Sequence, residues 1–234
     1  MNKNVIYTVI TGGYNKLNDP KIITPGWDYI CFADDRDMKS DTWQIEYIKK
    51  DPNLSNQKNA RKVKILYHKF VGKYDNSIYV AGFNIIKKYS LDDILSELTP
   101  ESDMAVLIHP YRTCLYDEAK EMASGYKNLK KTINDQVKQY REDGMPDQQG
   151  LYGCSMLIRR GDKNNVIKHC ELWWEEVKKY SPRDQISFPY VLWKYNLVNL
   201  QKLSWKLFED GFYDKKLHKN DIKRYKKLLK TRKR

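Results

Sequence analysis

The sequence predicts an α/β fold: one mostly parallel sheet flanked by helices, in a single domain. Three observations predict it. Short β-branched or aromatic runs recur at residues 5–10, 27–35, 75–80, 103–108 and 149–158, and between them lie segments with helical spacing of apolar residues. Several of the runs end in glycine or short polar residues, as strands do at the carboxyl edge of such a sheet. The 234 residues are enough for one substantial core and marginal for two, and 41% hydrophobic content excludes a disordered chain.

The first run, residues 5–10, is bounded by Thr11-Gly12-Gly13-Tyr14 and reads as a buried strand ending in a glycine loop. Such a loop lets a ligand approach the backbone, which makes Thr8, Thr11, Gly12, Gly13 and Tyr14 candidates; a plain turn explains the pattern equally well. Residues 27–35 form a second strand. It ends in Asp34 and Asp35, which either accept hydrogen bonds from a ligand or cap the next turn. Residues 43–47 read as a further strand. Residues 59–70 read as one helix, with Arg61, Lys64 and His68 on one side and Val63, Leu66 and Phe70 on another. A cationic stripe of this kind suits a diphosphate, although a solvated basic face is the commoner cause.

The next strand, 75–80, runs into Ala81-Gly82-Phe83-Asn84, so Val80, Ala81, Gly82 and Asn84 sit at the candidate edge. Residues 91–98 form a short helix capped by Ser90 and stopped at Thr99-Pro100. The strand at 103–108 ends in His109-Pro110-Tyr111-Arg112. His109 and Arg112 are ligand candidates there; the alternative for His109 is a satisfied core imidazole. Residues 116–140 are helical and strongly charged, and Asp143-Gly144-Met145-Pro146 breaks them. Residues 149–158 are a loop entering a strand, where Gly153 lets the backbone lie close to a ligand. Residues 166–180 form an amphipathic helix carrying Trp173 and Trp174. At least one of these is core, because adjacent residues do not share a helix face. Residues 197–212 read as a last, irregular strand region.

The segment Ser181-Pro182-Arg183-Asp184-Gln185 has the chemistry to face a ligand. Ser181 suits a helix cap and Pro182 a first turn, where its missing N–H costs nothing. Asp184 then lies at the positive end of the helix dipole, while Phe188, Val191 and Leu192 pin the helix to a core. The structural alternative is a first-turn carboxylate without chemistry.

The formal charge of +13 is uneven. Residues 215–234 hold 11 Lys/Arg and one acid, which leaves 32 basic against 29 acidic residues, or +3, in the rest. We therefore divide the chain into a domain at 1–213 and a basic amphipathic tail at 214–234, in which Ile222, Tyr225, Leu228 and Leu229 recur at helical spacing. Such a tail suits an anionic membrane surface. Nucleic acid is an unlikely partner, because the body carries no basic patch interleaved with aromatics. Cys31, Cys114, Cys154 and Cys170 form no CxxC pair, and Cys31 and Cys154 lie in apolar runs, which fits reduced thiols. The expectation is a cytoplasmic protein, peripheral on the cytoplasmic membrane face.

Several stretches together resemble one family. They are Tyr7-Thr8-Val9-Ile10-Thr11-Gly12-Gly13-Tyr14, Trp27-Asp28-Tyr29-Ile30-Cys31-Phe32, Ala60-Arg61-Lys62-Val63-Lys64, Ser77-Ile78-Tyr79-Val80 and His109-Pro110-Tyr111-Arg112, followed by 143–151 and 173–188. The chain is similar to a glycosyltransferase-like family formerly known as a domain of unknown function, with bacterial and viral members and plant turgor-regulation and mucilage-related proteins. The resemblance implies a GT-A-type fold and transfer of a sugar from a nucleotide-sugar donor to a glycan or lipid-linked glycan acceptor. Thr8, Thr11, Gly12, Gly13, Tyr14, Asp34, Arg61, Lys64, Val80, Ala81 and Gly82 then become donor-side candidates. Asn84, His109, Arg112 and Gly153 become sugar- or acceptor-side candidates, with Asp184 as proton acceptor beside Arg183 and Gln185.

The family usually carries an Asp, expected near a metal and the donor, where this chain has Ala81. Mn²⁺ or Mg²⁺ is the cofactor that position implies. Three accounts stay open. Arg61, Lys64 and Arg112 replace the metal; or Asn84 and His218 ligate one weakly; or Ala81 stands in place of a natural carboxylate and marks an inactive variant. A fold-bearing protein that binds glycan without catalysis, and nucleic-acid binding through the tail, are the alternatives to sugar transfer.

Overall fold

The computed structural model describes residues 3–161 and 163–213. In chain order the elements are β1 (Asn4–Ile10), β2 (Trp27–Ala33), β3 (Gln44–Tyr47), α1 (Asn56–Ile65), α2 (His68–Val71), β4 (Asn76–Val80), α3 (Leu91–Ser96) and β5 (Met104–Ile108). There follow α4 (Leu115–Gly125), a 3₁₀ turn (Lys127–Leu129), α5 (Lys130–Glu142), β6 (Tyr152–Arg160), α6 (Asn164–Lys179), α7 (Asp184–Tyr195), β7 (Leu200–Leu203) and α8 (Trp205–Gly211).

The strands form one seven-stranded sheet in the order β3-β2-β1-β4-β6-β5-β7. β6 runs antiparallel to both its neighbours, and every other pairing is parallel. The carboxyl ends of six strands therefore share one edge with the start of β6. From β1 the chain builds outward through β2 to β3, then returns to lay β4 on the other side of β1. That reversal leaves a crevice between the β1 and β4 ends, the place where open α/β sheets bind ligands.

Alternation along the strands divides the interior. Val5, Tyr7 and Val9 of β1 face the larger core with α1, α4, α5, α6 and α7. Ile6 and Ile10 face the smaller core with α3 and α8. Because the sheet is covered on both faces, β1 reads as an apolar run rather than an alternating one. Thr8 and Val80 point into the smaller core, 1% and 3% exposed, so they are packing residues rather than ligand-lining ones.

Several expectations need correction. The 59–70 helix is two: Leu66 leaves helical geometry at ψ 46°, and α2 begins again at His68. The 116–140 segment is likewise α4 and α5, separated at Tyr126 and the 3₁₀ turn. Residues 197–212 hold the short strand β7 and then a helix, α8, whose cap Ser204 accepts from Lys206 N. The expectation that at least one of Trp173 and Trp174 is core holds: both are buried, at 0% and 6%, on a helix that packs against α1 and α7. Ser90 does cap α3, in a reciprocal capping box with Asp93. Ser181 does not cap α7. Its hydroxyl is buried and donates to Gln136 Oε1 at 2.7 Å, and the helix starts at Asp184 with Arg183 as its flanking residue. All four cysteines are free and buried. Among the described residues no helix is long and apolar enough to cross a membrane.

Candidate active site at the carboxyl edge of the sheet

The β1 loop is built on backbone that only glycine adopts readily. Gly12 and Gly13 have φ of +64° and +66°. A Cβ on Gly12 would meet Asn56 Nδ2 at 2.0 Å, so the loop packs directly on the start of α1. Thr11 Oγ1 donates to Asn56 O at 2.7 Å and holds the same junction. Gly12 N–H donates to both oxygens of Asp34, each at 3.0 Å, and Lys50 Nζ lies 2.6 Å from Asp34 Oδ2. Lys50 also donates to Asn56 Oδ1 at 2.9 Å. Asp34 thus fixes the loop from β2. Lys50, which the sequence reading missed, supplies a half-exposed cation at the edge. The signal for it was present: the strand-end rule that singled out Asp34 applies equally to the polar residues that follow β3.

Below this edge, Asp184 from α7 meets α1. Lys64 Nζ is 2.5 Å and Arg61 Nε 2.9 Å from Asp184 Oδ2. The Arg61 contact lies off the line of a directed hydrogen bond, so it is an ionic contact. Lys64 also donates to the Cys154 carbonyl of β6 and lies 4.9 Å over the Tyr79 ring of β4. Asp184 is 3% exposed and Lys64 2%. Burial pushes the Asp184 carboxyl up, but Arg61 and then Lys64 outweigh it and hold it below the ordinary carboxylate value. Burial also lowers the Lys64 ammonium, against the pull of Asp184. Asp184 Oδ1 accepts the Gln185 N–H at 3.1 Å. The carboxylate expected to look into an opening is instead enclosed, with both oxygens engaged. The reason is that α1 brings two cations to one face, and a buried charge is stable only when paired. Lys64 is correspondingly sealed from any diphosphate. Burial opposes the Arg61 charge and Asp184 sustains it, with Tyr79, Cys154 and Tyr14 nearby. Those partners place the β1 loop, β4 and β6 around one guanidinium.

A second carboxylate, absent from the sequence reading, organises the acceptor-side candidates. Glu118 in the first turn of α4 is 2% exposed. Arg112 Nη1 lies 2.8 Å from its Oε2, Arg183 Nη2 3.5 Å from its Oε1, and His109 Nε2 3.9 Å from Oε2. His109 Nδ1 accepts the backbone N–H of Tyr111 at 3.3 Å and of Arg112 at 3.1 Å, which fixes the proton on Nε2, toward Glu118. Burial lowers the His109 pKa, as do Arg112 and Arg183, against the pull of Glu118. Arg183 also donates to Gln185 Oε1 at 3.1 Å, so Arg183-Asp184-Gln185 spans from one carboxylate cluster to the other.

The remaining candidates separate. Gly82 lies in the crevice, where a Cβ would press on Ile10 and Asn15. Asn84 is 6% exposed and caps its own turn, donating to Ala81 O at 2.9 Å, while its Oδ1 has no partner among the described residues. Gly153 is a correction: a Cβ there would meet the Trp205 ring at 2.8 Å, so the chain's own α8 fills the space expected to admit an acceptor. Among the described residues the donor set at the β4 end does not fit a divalent cation. Ala81 has no side-chain oxygen and Asp34 is engaged by Gly12 and Lys50. Among the described residues no three His, Cys, Asp or Glu side chains converge. His218 and the basic tail lie outside the described residues.

No curated protein matches the chain. Among solved structures, the apo bifunctional glycosyltransferase WbbM superposes with a TM-score of 0.50 at 9% identity, over 86% of this chain and 39% of that one. This chain therefore spans about two fifths of that protein's length. Mouse xyloside xylosyltransferase 1, also apo, gives 0.46 at 7% identity, over 85% and 84% of the two chains. The fold is the GT-A type that the resemblance implied. The profile of the TOD1/MUCI70, glycosyltransferase-like domain matches residues 5–221, nearly the whole chain, and on that match this protein belongs to the TOD1/MUCI70 glycosyltransferase-like family.

Proposed function

We propose that this protein is a nucleotide-sugar-dependent glycosyltransferase that extends a glycan in surface polysaccharide synthesis. One observation carries the reading. The Gly12-Gly13 loop packs on the start of α1, and Arg61 of the same helix pairs with Asp184 of the Arg183-Asp184-Gln185 turn, beside the point where the strand order reverses. In this reading the nucleoside diphosphate lies along the β1 loop and the start of α1, where the helix dipole favours phosphate. Lys50 and Arg61 supply positive charge as the bond from the anomeric carbon to the phosphate oxygen breaks. Asp184 is a poor proton acceptor while two cations hold it. We assign it the positioning of Arg61, and the proton of the acceptor hydroxyl passes to the departing phosphate oxygen. Arg112 and His109 lie on the acceptor side. The basic tail would hold the enzyme at an anionic cytoplasmic membrane face, which vesicle co-sedimentation with and without residues 214–234 tests.

The test of the main reading is a thermal-shift panel of nucleotide sugars, with and without Mn²⁺. A ligand at 100 times its dissociation constant stabilises the folded state by about 2.7 kcal/mol, a shift of several degrees. At least one nucleotide sugar is expected to give such a shift, and to be turned over. Ala81 favours a second reading, a glycan-binding protein that kept the fold without the chemistry. Calorimetry that finds glycan bound and no nucleotide sugar bound decides for it.

A further inference from the structure

Of the six large hydrophobic side chains exposed among the described residues, three adjoin the Glu118 cluster: Ile108 at 45%, Tyr111 at 83% and Tyr126 at 42%. Tyr111 stands on the loop after β5, with its ring 6.1 Å from that of His109 and edge-on to it. Tyr126 closes the far end of α4, and the Arg183 guanidinium lies 5.6 Å from its ring centroid. Arg112 follows Tyr111 in the chain and Arg183 lies by the Tyr126 ring, each about a quarter exposed, so each ring has a guanidinium near it. Rings left this open gain from being covered, and their arrangement on a polar frame at the sheet's carboxyl edge selects what covers them.

Resting on the glycosyltransferase reading, we propose that Tyr111, Arg112, Arg183 and Tyr126 form the acceptor platform and that it takes uncharged sugar rings. The C–H face of a pyranose carries slight positive charge and packs on the negative face of a phenol ring, while its hydroxyls accept from guanidinium N–H groups. The charge on the surface is already balanced. Glu118 faces both arginines, and Glu121 Oε2 lies 3.3 Å from Arg112 Nη2. Recognition therefore rests on stacking and hydrogen bonds rather than net charge, and it resists salt, whereas a phosphate or acidic glycan drawn by free arginines loses affinity as salt screens it.

The experiment is calorimetric or NMR titration of the full chain with neutral hexasaccharides of glucose, mannose, galactose and N-acetylglucosamine, with hyaluronan hexasaccharide as the acidic comparison, at about 50 and 500 mM salt. The expected result is that at least one neutral hexasaccharide binds, with affinity changing less than twofold between the two salts. Tyr111→Ala and Tyr126→Ala each weaken it about tenfold or more, the scale of losing one stacked ring, and Tyr111→Trp restores it. Tyr195→Ala, another exposed tyrosine (39%), changes nothing. No binding of any neutral hexasaccharide, binding indifferent to both tyrosines, or tighter and salt-sensitive binding of hyaluronan each overturns the proposal. Nucleotide-sugar thermal shifts on the same variants separate the two readings. If the shifts persist while the tyrosine substitutions do nothing, the platform alone fails; if the parent shows none, the glycosyltransferase reading fails.

Discussion

Asp184 and Glu118 are two nearly buried carboxylates, 3% and 2% exposed; Asp184 gathers two basic side chains from α1, and Glu118 gathers them from the loop after β5 and the turn before α7. Both hold arginines about a quarter exposed, and they differ in that only Asp184 also holds a fully buried lysine. Lys64 is as buried as Asp184 itself, so that pair is sealed between α1, β6 and α7. Arg112 and Arg183 keep about a quarter of their side chains in solvent, so Glu118 holds groups whose tips remain available. The Lys64 pair thus locks the interior, whereas the arginine pairs, that of Arg61 with Asp184 included, present donors. Burial of the basic partner, not the type of acid, decides which.

The comparison breaks or sharpens under substitution. The largest effect is expected at Asp184. Asp184→Ala strands two cations, one fully buried, and should cost about 3–5 kcal/mol in urea unfolding, the usual penalty for removing one partner of a buried pair. Glu118→Gln should cost only about 1 kcal/mol, because it keeps an oxygen for Arg112 and water reaches both guanidiniums. Its larger consequence should be weaker glycan capture with nucleotide-sugar thermal shifts unchanged. Equal stability losses at the two sites would remove the distinction drawn here.

The smallest effect is in the pH dependence, and its range separates the clusters. His109 has a folded pKa below its ordinary value, so the unfolded chain binds its proton first. Stability should fall as pH drops below about 6.5, the unfolded value for histidine, and should level off below the folded value. His169, fully buried and with its pKa lowered to about 3, adds to the same limb, so His109→Gln should reduce it without abolishing it. Asp184, whose folded pKa is also lowered, stabilises above the unfolded carboxylate value. It should lose that contribution only as pH falls below about 4 and on through the folded value. Denaturant midpoints from pH 3 to 8 in the parent and His109→Gln read both limbs.

The strands and their polar ends were legible because a buried parallel strand writes itself as a short apolar run, and its loop as the residues that tolerate tight turns. Residues 5–14, 27–34 and 75–82 were placed on this basis. The helix breaks at Leu66 and Tyr126 were not, because no proline or glycine marks Leu66, and periodicity continues across both. Glu118 looked like any first-turn acid. Its partners come from residues 109, 112 and 183, and nothing local distinguishes a carboxylate that meets three side chains from one that meets water. Gly153 misled for a related reason: glycine announces a close approach but not by what, and here it is Trp205.

By itself the sequence determined the α/β class, the edge on which candidate ligand-binding residues gather, and the family. These depend on spacing and residue type along one stretch of chain at a time. Tertiary structure alone decided that Lys64 and Asp184 face each other out of reach of solvent, that Lys50 joins Asp34, and that Glu118 links the β5 loop to the start of α7. The physical reason is that the state of a charge depends on its distance from water and from other charges. Those distances are set by residues that lie 6 to 120 positions apart in the sequence, most of which become neighbours only when the sheet closes.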